Sequence, residues 1–181
     1  AQATRPHFSF TQTISIMSIN GRTKVNVFNK VYEGTFKDGY IVGIGTCKST
    51  RGFYTGEFAY GGDEIYQPIE GKGKMEFTNG DVYDGEWKRN SMHGHGKMIY
   101  RNGETYDGEW VNSERHGKGT MTGMFHPVEW YGTSDPVEYT YEGEWKDGKK
   151  SGHGIRTFEI SKFGEKYIHE GRWENDMRTG R

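Results

Sequence analysis

The chain of 181 residues holds a single cysteine, Cys47, so no disulfide framework of the kind that braces small secreted domains can form. A cytoplasmic location is the expectation that follows. Nor does the chain contain an apolar run of about 18 residues, which excludes a membrane-spanning helix. Its opening, AQATRPHFSF, has neither a basic region nor an apolar stretch, so no signal peptide is legible, although a start without Met leaves room for one already removed. An excess of one charge is missing too: 24 Lys and Arg stand against 25 Asp and Glu, and the pI is near 6.7. With no basic stripe, nucleic acid is not an expected partner.

Apolar residues are scarce at 31%, and a mean hydropathy of -0.95 would alone point to disorder. Two features oppose that reading. Aromatics reach 15% and the net charge is only -1, whereas disordered chains are poor in rings and strongly charged. The composition suits a thin sheet with a narrow core made of large rings. Glycine supplies 28 residues, about twice the usual share of roughly 7%. These glycines lack the third-residue period of collagen and recur at fixed offsets, which makes them structural parts.

The offsets belong to an internal repeat. Residues 83–105 read YDGEWKRNSMHGHGKMIYRNGET, and the chain then resumes with YDGEWVNSERHGKGTMTG from Tyr106. Copies begin near residues 32, 54, 83, 106, 141 and 169, and a period in this range marks an array of small units that bury apolar surface only against their neighbours. Each opening glycine is followed by a Gly-x-Gly: Gly85 by Gly94 and Gly96, Gly108 by Gly117 and Gly119, Gly143 by Gly152 and Gly154. The sixth copy stops partway at Arg181, as expected of an unusual cap or of a piece of a longer protein.

Within a copy, YDGEW places Tyr83, Gly85 and Trp87 on one face and Asp84 and Glu86 on the other. GHGKMIY alternates likewise, with Gly94, Gly96, Met98 and Tyr100 opposite His95, Lys97 and Ile99. Each copy therefore reads as a β-hairpin. A polar segment (KRNSMH, VNSERH, KDGKKS) predicts a longer turn inside the copy, and Asn79-Gly80 and Asn102-Gly103 predict a tight one between copies. Strand glycines mark places where another group approaches the backbone, here a Tyr or Trp ring lying across bare peptide. The alternative, a phosphate loop, lacks the Gly-Lys-Ser/Thr or third glycine it requires. Residues 1–31 precede the array as a lead-in. Within them, residues 11–31 alternate about Asn20-Gly21, through Ile14, Ile16, Val25 and Val27, as a non-repeat hairpin capping the first sheet edge.

This consensus, aromatic, acid, Gly, Glu, Trp, a polar turn and then Gly-x-Gly, resembles the MORN (membrane occupation and recognition nexus) repeat proteins over residues 32–181. The resemblance implies an all-β fold, an elongated single-layer antiparallel sheet of stacked hairpins curved into a groove. It further implies a noncatalytic scaffold, cytoskeletal or membrane-associated, that captures a helical or extended protein segment. By that likeness Tyr83, Trp87, Tyr100, Tyr106, Trp110 and Trp145 line the partner groove, the alternative being that the same rings are used up packing on one another. Trp130 and Tyr131 add a second candidate on an insertion, MFHPVEWYGTSDPVEYT, that the repeat does not need. MORN repeats also accompany lysine methyltransferase and phosphoinositide kinase domains, so an accessory role in a larger enzyme stays open.

Chemistry proper has little support in the sequence, and no cofactor or metal is expected. The acids Asp84, Glu86, Asp107, Glu109, Glu142 and Glu144 recur with the repeat, which fits a strand's outer face better than a catalytic pair. Cys47 occupies the slot of Met75, Met98 and Met121 and reads as core. His93, His95, His116 and His153 lie along the ribbon, but strand-spaced side chains seldom converge on a metal within about 2.1 to 2.3 Å. Anionic phospholipid is a weaker partner: its densest basic group, Lys146, Lys149 and Lys150, has Asp147 inside it. Carbohydrate binding would call for aromatics set side by side, and an unpaired sheet end suggests a homodimer.

Overall fold

The computed structural model describes residues 20–27, 29–59, 68–125, 136–160 and 165–179. Fourteen strands are present among them: β1 (Gly21–Val27), β2 (Lys30–Lys37), β3 (Tyr40–Ile41), β4 (Ile44–Ser49), β5 (Gly52–Phe58), β6 (Ile69–Phe77), β7 (Val82–Lys88), β8 (Ser91–Ile99), β9 (Thr105–Val111), β10 (Glu114–Phe125), β11 (Val137–Lys146), β12 (Lys149–Ile160), β13 (Glu165–Glu174) and β14 (Met177–Thr179). They form one open antiparallel sheet in sequence order, with the short β3 paired to β2 off the main path. Among the described residues no crossover occurs, so strand pairing joins only copies that are neighbours along the chain. Of the lead-in hairpin, the second half is β1, which pairs along its whole length with β2 and buries Val27. The first half lies outside the described residues.

Alternation divides the sheet cleanly. In β7, Tyr83 and Trp87 are buried while Asp84, Glu86 and Lys88 are exposed, and the same pattern recurs in β9 and β11. We call the two sides the ring face and the open face. Cys47, Met75, Met98 and Met121 are buried with the rings, in one continuous core running across the strands.

The turns reverse the lengths expected from the sequence. Inside a copy, β7 and β8 are joined by Arg89 and Asn90 alone, β9 and β10 by Asn112 and Ser113, and β11 and β12 by Asp147 and Gly148. Both residues of each pair have positive φ, the signature of a type I′ hairpin turn, whose twist matches that of the strands it joins. Between copies the Asn-Gly segments are the longer connections, Thr78–Asp81 and Tyr100–Glu104, closed by Gly80 N–H to the Phe77 carbonyl and Gly103 N–H to the Tyr100 carbonyl. The polar segment shrinks to two residues because β8 begins pairing at Ser91, ahead of its glycines, and absorbs the mismatch in a bulge. The type I′ turns also join copies together. Side chains of Asn90, Ser113 and Asp176 accept the main-chain N–H of Ile69, Met92 and Lys150, each in the preceding copy's second strand.

Registers bring the glycines into line. Gly45, Gly56, Gly73, Gly85, Gly96, Gly108, Gly119, Gly143, Gly154 and Gly171 are successive cross-strand partners, a single row over ten strands. The second glycine of each Gly-x-Gly belongs to this row, and a Cβ at Gly96 would collide with the ring and hydroxyl of Tyr83. The first glycine serves a different end. Gly94 has φ +59° and forms the bulge, where Glu86 occupies the space a side chain would need.

Three alanine variants separate these roles. Gly103→Ala, at φ +87° with open space around it, should cost about 1 kcal/mol from backbone strain alone. Gly96→Ala must displace a fully buried ring and should cost about 3 kcal/mol or more. Gly94→Ala should fall between them, and urea midpoints measure the order.

Candidate functional site

The sheet offers two surfaces, and the rings dominate the first. Tyr83 and Tyr106 are 0% exposed, and Trp87, Trp110 and Trp145 are 3% exposed. Each phenol lies on the row glycine of its own copy, and its hydroxyl donates back to a main-chain carbonyl: Tyr83 to Glu86 at 2.9 Å, Tyr106 to Glu109 at 3.0 Å, Tyr141 to Glu144 at 3.1 Å. Each indole instead reaches into the copy before it. Trp87 Nε1–H donates to the Gly73 carbonyl at 2.9 Å, Trp110 to Gly96 at 2.9 Å, Trp145 to Gly119 at 3.0 Å and Trp173 to Gly154 at 3.1 Å. Phenols and indoles thereby alternate edge to face from Tyr54 through Trp87, Tyr83, Trp110, Tyr106, Trp145 and Tyr141 to Trp173, with centroids 5.1 to 5.7 Å apart. Pairs of this geometry contribute about 0.5–1.5 kcal/mol each beyond their buried area.

The expectation that these rings form the lining of an open partner groove is thereby corrected. Tyr83, Trp87, Tyr106, Trp110 and Trp145 are core, because a single-layer sheet has nothing else to bury them against. Tyr100 follows β8 and packs half-buried at the margin of the same core. Trp130 and Tyr131 lie outside the described residues.

Cations complete the ring face. The cross-strand partner of Trp87 is Met92, that of Trp110 is Arg115 and that of Trp145 is Lys150. Arg115 stacks on Trp145 of the next copy, 4.5 Å from the ring centroid, and donates to the Gly148 carbonyl at 2.6 Å. Lys150 lies 4.9 Å from the Tyr141 centroid and 5.6 Å from that of Trp173. Burial, and after it the charge of Arg156, push the Lys150 ammonium down to about 8. The lysine group expected to meet lipid is thus divided: Lys146 and Lys149 pair on the open face while Lys150 is committed to the rings.

On the open face lies a groove of about 570 Å³ across β9 to β12, floored by Gly108, Gly119, Gly143 and Gly154. Its walls are Asp107, Glu109, Glu142 and Glu144, with Lys118, His95 and His153 among them. The glutamate after each opening glycine has a structural task that sequence reasoning missed. Glu86 accepts the main-chain N–H of His95 at 3.3 Å, Glu109 that of Lys118 at 3.0 Å and Glu144 that of His153 at 3.1 Å, each tying down the strand just past the bulge. The available signal was that Glu follows every one of these opening glycines. The histidines meet carboxylates rather than one another: His95 Nε2 is 3.3 Å from Asp107, and His153 Nε2 is 3.8 Å from Glu170. Among the described residues no three metal-capable side chains converge.

Two outcomes follow from the ring face. Burial raises the phenols of Tyr54, Tyr83 and Tyr106 well above their ordinary range, with neighbouring glutamates adding to it, and brings Tyr141 up to about 12. The folded state thus favours the neutral phenol, so this stability is complete below about pH 10 and is lost as pH rises further; tyrosinate absorbance should appear together with unfolding. Lys150→Met, which installs the residue found at Met92, should raise the urea midpoint at neutral pH. Because the folded ammonium is depressed to about 8, that advantage should be full below pH 8 and should vanish as pH approaches the free-lysine value of about 10.4.

Comparison with curated proteins gives no match. The family model described as MORN repeat matches residues 32–52, 68–82, 83–105, 106–123, 141–160 and 169–181, more than half of the chain, and on that extent, with hairpins of one design stacked through a shared ring ladder, the chain belongs to the MORN repeat family.

Proposed function

We propose that the chain is a noncatalytic interaction module that captures a segment of a partner protein along its open face. The observation that carries this reading is the glycine-floored groove, held on a sheet whose copies from the second to the sixth are pinned to one another by indole hydrogen bonds. A surface of that kind is preformed, so a partner bears the ordering cost for its own segment alone. Apolar side chains left in water support the same face. Ile99, Met124, Ile155 and Ile168 are all exposed there, with Met124 paired to Glu138 and Ile155 set between Glu142 and Glu170, a mixture of apolar contact and polar rim that protein interfaces use. Lipid gains less support, since Lys146 and Lys149 are interleaved with Asp147 and Glu174 at the same end of the sheet.

Ring substitutions cannot test this, because Trp87→Ala or Trp110→Ala removes core and the fold with it. Open-face substitutions can. The wild-type chain, immobilised and exposed to extract from its source, should retain a protein that Ile99→Lys with Ile155→Lys releases, while circular dichroism and the melting temperature stay within a few degrees of wild type. Equal retention by both chains, or no retention above an empty support, would remove the reading.

A further inference from the structure

The open face carries a charge pattern set by the repeat and then broken. First strands bring an acid just before the opening glycine: Asp84, Asp107, Glu142 and Glu170. Second strands bring a residue just after the second glycine: Lys74, Lys97, Thr120 and Ile155. Register makes these positions direct cross-strand neighbours. Asp84 lies between Lys74 and Lys97. Asp107 lies between Lys97 and Thr120, with His95 Nε2 at 3.3 Å. Glu142 lies between Thr120 and Ile155, with no cation on either side. The compensating lysines fall from two to one to none along the ribbon.

The groove sits where they run out. Its walls hold four carboxylates, Asp107, Glu109, Glu142 and Glu144, against one ammonium, Lys118. Glu109 and Glu144 are occupied by main-chain N–H groups, which leaves Asp107 and Glu142 as the outward-facing charges, with the half-exposed Ile155 beside Glu142. Asp107, Glu142 and Glu170 form a row crossing the strands, each two strands from the next. At about 4.8 Å per strand, that spacing is about 9.6 Å.

Spacing of this size selects a conformation for the occupant. A β-strand returns to the same face every second residue, about 6.7 Å on, and an α-helix every fourth, about 6 Å on. A polyproline II segment returns every third residue, after about 9.3 Å. We propose that the groove over β9 to β12 docks an extended polyproline-II-like segment of a partner protein with lysine or arginine at every third residue, one cation resting at Glu142 in the place that lysine fills elsewhere in the repeat. This rests on the interaction-module reading and adds to it the face, the charge and the backbone conformation of the ligand.

The test uses labelled peptides and the full chain, read by fluorescence anisotropy at low and moderate salt. A Lys-Pro-Pro repeat peptide should bind, more weakly as salt rises, while a Glu-Pro-Pro peptide of the same length should not. Glu142→Gln should weaken the Lys-Pro-Pro complex by about fivefold, the size of one exposed ion pair. Thr120→Lys, which restores the residue carried at Lys74 and Lys97 and so suits the fold, should weaken it at least as much by filling the seat from within. Three results each overturn the inference: equal binding of the lysine and glutamate peptides, binding indifferent to both substitutions, or a peptide with lysine at every second residue binding as well as Lys-Pro-Pro. Sedimentation with phosphatidylserine vesicles in place of peptide binding would overturn it in favour of a membrane ligand. A protein retained from extract but indifferent to Glu142→Gln and Thr120→Lys would end this inference and leave the module reading standing.

Discussion

A phenol lying flat on glycine, with an indole from the following copy hydrogen-bonded to that same glycine's carbonyl, is the interaction on which the molecule depends. It meets two requirements of a single-layer sheet together. A large ring is buried without a second layer to cover it, and the indole N–H that burial takes from water finds a main-chain carbonyl. Since the phenol belongs to one copy and the indole to the next, the joint is also the link between units. Cohesion in such an array is a sum of nearest-neighbour terms, and from the second copy onward each term has the same three groups: Tyr83, Gly96 and Trp110 in one joint, Tyr106, Gly119 and Trp145 in the next, while at the first joint Phe58 takes the indole's place against Tyr32.

Most of this architecture could be read from the residues. Period-two alternation in YDGEW separated the two faces correctly, and the slot shared by Cys47 with Met75, Met98 and Met121 identified core. What remained hidden depended on pairing register. The bulge at Gly94 shifts β8 against β7, so a six-residue polar stretch closes through two residues, and within KDGKKS the Asp147-Gly148 dipeptide alone makes the turn. The two glycines of a Gly-x-Gly look equivalent in sequence. One is required by a positive φ and the other by a ring, a distinction that only the fold makes visible.

Site assignment suffered for a related reason. Aromatic side chains recurring on one strand face suit an interface and a core equally well, and sequence cannot say whether anything lies over them. In this chain they lie over each other. Under the proposed reading recognition falls to the open face, where departures from the repeat, such as Thr120 and Ile155 in place of lysine, carry more information than its constant positions.

The row of ten glycines is mechanical as well as steric. Along that line the sheet has no side chain on its open side, and on its other side it has rings set edge to face, joined from Gly73 onward by single indole hydrogen bonds. Flexure that closes the rings together meets van der Waals repulsion at once, whereas flexure that opens them meets only dispersion and one N–H contact per joint. The ribbon is therefore a one-way crease: stiff in one sense of curvature and compliant in the other.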